Sequence, residues 1–231
     1  MSAIFVSPSQ NTIGTQLSAD GGNVQAHALR DGSLLSVPWY IGLVAGGKVH
    51  GVQSGSATTP TTFNATYGAA EPDLYIYVPA NTYIIPLMMA IQFEDTGTAQ
   101  VMDVFAAYSS NGDSAVTGTA LTAYNYKGDN TTATNCTCTG VVTSNGTTHL
   151  GGSNFMEFWR PYAGFAEDAF NGSTSWVNPA IHGARWSALQ EVPPLIGGDA
   201  AGALSIFASG QAATGFISCV WAEFSSSMFK A

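Results

Sequence analysis

Charge is nearly absent from this chain. Lysine and arginine number 6 and aspartate and glutamate 15 among 231 residues, 9 % in all, against about 25 % in an ordinary soluble domain. A long exposed helix relies on charged i,i+4 partners to keep its outer face in water, so long surface helices are excluded. Hydrophobic residues still make up 45 %, which excludes a disordered chain, since disorder combines low hydrophobicity with high net charge. Thr, Ser, Asn, Gly and Ala hold the positions that charge has vacated. What remains is a β-rich domain with a neutral polar coat.

The few charges also limit the partners. Arg30, Lys48, Lys127, Arg160, Arg185 and Lys230 lie far apart in sequence and make no basic stripe, so direct nucleic-acid binding is not expected. The net charge of −9 reflects scarce cations, because acids occur at most in pairs such as Glu94-Asp95 and Glu167-Asp168. No apolar run reaches a membrane span; residues 83–93 come nearest and are interrupted by Pro86 and Gln92. The first residues lack a cationic start and a continuous apolar stretch, so no secretory signal is expected. Cys136, Cys138 and Cys219 are odd in number, and a bridge between the first two would be strained on one strand, which fits a reducing compartment.

Periodicity favours strands along most of the chain. Residues 34–44 (LLSVPWYIGLV) are apolar, β-branched and aromatic between Asp31-Gly32 and Gly46-Gly47, and read as extended. Residues 74–78 (LYIYV) run into the turn Pro79-Ala80-Asn81, and residues 82–93 (TYIIPLMMAIQF) follow directly. Strands are also expected over 101–108, 117–126 and 154–159, with turns at 109–113 and 127–130; a Thr/Asn/Cys-rich stretch, 131–142, leads to a hairpin turn at Ser144-Asn145-Gly146. Residues 204–208 and 216–224 (FISCVWAEF) read as a closing hairpin around Ser209–Gly215. The last strand carries large apolar groups on both faces, so it should be covered on both sides or lie at a subunit contact. Short helices are expected only in connections, at 161–171 and 180–190. Residues 34–231 thus form a single β-sandwich, preceded by an extended N-terminal arm, 1–33, with loop-like stretches such as Ser7-Pro8 and Gly21-Gly22-Asn23.

No motif in the chain specifies catalysis. Gly-x-Ser-x-Gly and glycine-rich phosphate loops do not occur, and His27, His50, His149 and His182 are scattered. Cys136-x-Cys138 with His149 falls short of the four ligands and the spacing of a structural zinc site, and two small residues on one strand face explain the pair. Asn111 with Asp113, and Asp129 with Asn130, offer oxygen ligands without EF-hand spacing and are accounted for by turn chemistry. Glu157 with Glu167 or Asp168, near Trp159 and Tyr162, has the residue types of a sugar-cleaving pair. Aromatic packing accounts better for that region, which also holds Phe155, Phe158, Phe165 and Phe170. Sequons at Asn64, Asn130, Asn135, Asn145 and Asn171 are the number expected in a chain rich in Asn and Thr. The expectation is a non-enzymatic protein with no cofactor and no metal.

Surface type is the more informative feature. Interface cores lose charge and gain aromatics and methionine, and Trp39, Tyr40, Met88, Met89, Trp176 and Trp221 fit that pattern as subunit-contact residues. A monomer exposing so many apolar groups in a neutral coat would aggregate.

Residues 78–87 (VPANTYIIPL), the strand ending Phe93-Glu94-Asp95-Thr96-Gly97, and the closing ALSIFASG and TGFISCVWAEF segments resemble single jelly-roll virion proteins. These are the capsid and head-decoration subunits of bacterial and archaeal viruses, and the likeness runs over residues 37–224. It implies a jelly-roll antiparallel β-sandwich of eight strands and a role in the virion as a capsid-shell or capsid-decoration subunit. The partners it implies are copies of the same chain, as a trimer or larger lattice, and other capsid proteins. The alternative is a receptor- or carbohydrate-binding module of a phage tail or spike, using Trp176 or Trp186, and a hydrolase with an unrecognised site is a third.

Overall fold

The computed structural model describes residues 39–65, 68, 70–95, 101–128, 132–145, 155–164, 183–208 and 213–228. The described chain begins with one helix, α1 (Trp39–Ala45), followed by β1 (Val49–Ser54) and the two-residue β2 (Thr61–Thr62). Next come β3 (Leu74–Val78), β4 (Thr82–Asp95), β5 (Val101–Asp103), β6 (Phe105–Ser109), β7 (Val116–Leu121), β8 (Tyr124–Asn125) and β9 (Thr137–Asn145). The last are β10 (Phe155–Trp159), β11 (Tyr162–Gly164), β12 (Gly183–Ser187), β13 (Ile196–Gly198), β14 (Gly202–Phe207) and β15 (Thr214–Ser225), closed by a 3-10 turn (Ser226–Met228).

The strands form two large antiparallel sheets. The first runs β12-β4-β15-β1-β8 and the second β10-β6-β14-β3-β9-β7, while β5 and β11 pair separately. Along the eight strands β1, β3, β4, β6, β10, β12, β14 and β15, the chain changes sheet at every connection except β6 to β10. Numbered in chain order, the two sheets read sixth-third-eighth-first and fifth-fourth-seventh-second. That is the strand order of a jelly roll. The β6–β10 connection supplies β7, β8 and β9, which widen both sheets at the end formed by β1 and β3.

Alternating side chains from both sheets fill the space between them. Leu74, Ile76 and Val78 of β3 meet Ile84, Met89, Ile91 and Phe93 of β4, with Leu204, Ile206, Ile217, Cys219, Trp221, Trp159 and Trp186 in the same core. Each fully buried large side chain contributes about 1.5–3 kcal/mol, so this layer holds the sandwich. The alternation of β4 slips once: Ile84 and Met89 point inward, while Ile85, Leu87 and Met88 pack outside. Pro86, opposite Trp221, lies beside that register shift. Its missing N–H falls between the stretch paired with β13 (Thr82 to Ile84) and the stretch paired with β12 (Met88 to Gln92). A proline can stand mid-strand at such a bulge.

Three sequence expectations change. Residues 39–45 are helical, not extended: Leu43 seats the helix against Val49, Val220, Ala222 and Phe224. Gly47, at φ 67, ends the helix as the Lys48 N–H donates to Leu43 O and the Gly47 N–H to Val44 O, at 2.9 Å each, the pattern of a Schellman cap. Second, Gly183–Ser187 and Tyr162–Gly164 are strands where helices were expected. Five consecutive residues of β12 pair with β4, and that pairing outweighs a short helical pattern that had no charged face to support it. Third, β14 and β15 do not form a hairpin. β14 pairs with β3 and β6, β15 with β4 and β1, and the connection crosses between sheets.

Candidate functional site

The outer face of the β12-β4-β15-β1 sheet carries an exposed apolar surface. Side chains that alternate away from the core, namely Ile85, Leu87, Val220, Ala222 and Phe224, gather under α1 with Leu43 and Val44. Beside the helix they leave a groove of about 220 Å³ lined by Trp39, Tyr40, Leu87, Met88, Tyr126, Arg185, Leu189 and Val220, among others. Its rim is exposed: Trp39 54 %, Tyr40 42 %, Tyr126 52 % and Leu189 70 %. Trp39 and Tyr40 meet edge to face, ring centroids 6.1 Å apart, and the Arg185 Nη2 contacts the Met88 sulfur at 3.0 Å. Four large apolar side chains around one groove make a surface that favours cover by another protein face.

The proposed contact residues separate accordingly. Trp39 and Tyr40 stand on the rim, and Met88 lines the groove. Met89 and Trp221 are turned into the core and have no surface to offer a partner, which corrects their assignment. The cause is the period of two beside the bulge at Pro86, which sends Met88 out and Met89 in. Trp176 lies outside the described residues. So does the arm 1–33. Tyr126 and Leu189 were missed because they sit in a turn and after an edge strand, where periodicity gives no face.

On the inner face of the same stretch of β1 and β15, polar groups are buried together. Glu223 on β15 accepts hydrogen bonds from the Asn135 backbone N–H at 3.0 Å, from Asn135 Nδ2 at 2.7 Å and from Thr134 Oγ1. His50 of β1 lies opposite Trp221, ring centroids 6.1 Å apart and nearly parallel. Burial holds the His50 imidazole below its usual pKa, the Glu223 charge opposes that shift, and the Lys48 charge adds to it. Cys136, Cys138 and Cys219 are free and buried. Burial, with the nearby Glu223 charge, pushes the Cys138 thiol up to about 12, and burial likewise raises Cys136 and Cys219. Such thiols are poor nucleophiles. No group of three His, Cys, Asp or Glu able to hold a metal ion occurs among the described residues. His149 lies outside them.

The remaining sequence candidates have structural partners. Glu157 is held at 2.7 and 2.6 Å by Arg160, whose guanidinium lies 4.6 Å from the Phe105 ring centre; Glu167 and Asp168 lie outside the described residues. Trp159 is buried in the core rather than offered as a platform, and Trp186, 1 % exposed, cannot serve a glycan. Asp113 Oδ1 accepts the Ala115 N–H at 2.8 Å and the Asn111 N–H donates to Ser109 Oγ at 3.0 Å, both ordinary turn bonds. Asp129 and Asn130 fall outside the described residues. Asn64 and Asn135 are committed to hydrogen bonds with Glu71 O, Val142 O and Glu223.

The fold is thus a two-sheet sandwich with an eight-strand jelly-roll core and a helix-flanked apolar groove on one outer face. Comparison with protein-family models, with curated proteins and with solved structures found no match.

Proposed function

We propose that this chain is a non-enzymatic structural protein of a virus particle, a capsid-shell or capsid-decoration subunit that acts by self-assembly. The observation that carries the proposal is the apolar groove rimmed by Trp39, Tyr40, Tyr126 and Leu189, in a chain with 9 % charged residues. A surface of that kind is stable in water when a second protein face covers it. The jelly-roll strand order supports the reading, since capsid subunits use it, although lectins and cupins do as well. In this proposal the partners are copies of the same chain and other capsid proteins.

Electron microscopy of the purified full chain tests the proposal. Rings, sheets or shells of uniform subunits are expected, or decoration of added capsids. Discrete monomers that leave capsids bare would reject it.

A further inference from the structure

A second depression lies on the same outer face, away from α1, and its chemistry differs from the groove. It is an open depression of about 330 Å³, lined by Gln53, Ser56, Ala57, Ala90, Gln92, Phe216 and Ser218. None of these residues is charged. The register fixes their layout: Gln53 of β1 is level with Ser218 of β15 and that residue with Ala90 of β4, while Phe216 is level with Gln92 one rung along. The two glutamines therefore flank β15, roughly 12 Å apart along the diagonal at sheet spacing, about the length of a disaccharide.

The β1–β2 turn walls one side. Gly55 has φ 91 and lies against Phe216, where a Cβ would come within 2.8 Å of the ring, and Ser56 and Thr59 exchange backbone hydrogen bonds of 2.9 and 3.3 Å. The half-buried Phe216 ring forms part of the floor, and Gln53 and Gln92 are both exposed.

Two amides that each donate and accept, two hydroxyls and an aromatic ring match a ligand dense in hydroxyl groups with apolar C–H faces. A phosphate or carboxylate would find no cation in the lining, and an acyl chain would find too open and too polar a wall. We propose that this depression binds a neutral oligosaccharide, with Gln53, Gln92 and Ser218 hydrogen-bonding sugar hydroxyls and Phe216 stacking on a ring face. The proposal is independent of the subunit-contact reading, which concerns the other groove.

The test is titration of the full chain with maltohexaose, cellohexaose and chitohexaose by calorimetry, with heparin hexasaccharide as a charged control. Millimolar or tighter binding of at least one neutral sugar is expected, with none for heparin. Gln53→Ala and Gln92→Ala should each weaken it by about tenfold. Both side chains are exposed, so the variants should keep the parent melting temperature and the parent native mass. No binding of any neutral sugar, or binding untouched in the double variant, would overturn the proposal. If the sugars fail to bind and the variants lower the native mass, the face belongs to subunit contacts instead.

Discussion

Glu223 and Asn135, 88 residues apart in sequence, are joined by hydrogen bonds of 3.0 and 2.7 Å from the backbone and side-chain nitrogens of Asn135 to one carboxylate oxygen. The bonds tie the segment entering β9 to the closing strand β15, and so fasten the inserted β7–β9 region to the jelly roll. Glu223→Ala would leave those donors and Thr134 Oγ1 without their acceptor. A loss of about 3 kcal/mol is expected in urea unfolding, and about half of that for Glu223→Gln, which keeps one acceptor. A loss below about 0.5 kcal/mol for the alanine variant would show that the clamp is not structural.

His50 gives the fold a pH dependence of known sign. Its pKa is lowered on folding, chiefly by burial, with Lys48 lowering it further and Glu223 working against both. The unfolded chain therefore binds the proton more readily, and stability falls as pH drops below the ordinary histidine value of about 6.5. Melting curves between about pH 7.5 and 5.5 should show a decline that His50→Gln flattens. An identical slope in that variant would locate the titrating group elsewhere.

Asp73 joins two connections through one carboxylate. Oδ1 accepts the Asn64 N–H at 2.7 Å and Oδ2 the Ala208 N–H at 2.8 Å, while the residue is 1 % exposed. Asp73→Asn would turn an amide NH2 toward one of those donors and is expected to cost about 2–3 kcal/mol. Denaturant midpoints of the two proteins check this.

The three thiols provide a probe of packing. Cys138 is pushed up to about 12 by burial and by Glu223, and Cys219 is wholly enclosed. Reaction with a disulfide reagent at neutral pH should be slow in native protein and complete in denaturant. Rapid labelling of the native chain would contradict this packing.

Much of the architecture was legible in the residues, and its limits have physical causes. Apolar and aromatic runs between turns marked β3, β4, β10 and β15, and Pro79-Ala80-Asn81 marked a turn in which Asn81 sits at φ 64. Strand partners were not legible, because period two fixes which face a side chain takes and not which strand lies beside it. That is why residues 204–208 and 216–224 looked like a hairpin. The helix at Trp39–Ala45 was hidden because its apolar side chains suited either structure, and only the apolar outer sheet face decided between them. On that face, the bulge at Pro86 decided that Met88 and not Met89 points outward. Gln53 and Gln92 carry no motif, and their juxtaposition comes from registers that join distant segments.

Substitutions on the groove rim should separate assembly from folding. Trp39→Lys and Leu189→Lys alter side chains that are 54 % and 70 % exposed, so the domain should melt within about 1 °C of the parent. Assembly should drop sharply, as read by light scattering. Unchanged assembly in the double variant would move the contact to another face.

The most direct test of self-assembly is the native mass of the unaltered full chain, by sedimentation velocity at micromolar concentration. The account predicts a discrete species, or a series of them, at a multiple of the 23.9 kDa subunit. A single stable species at 23.9 kDa across the concentration range would contradict it.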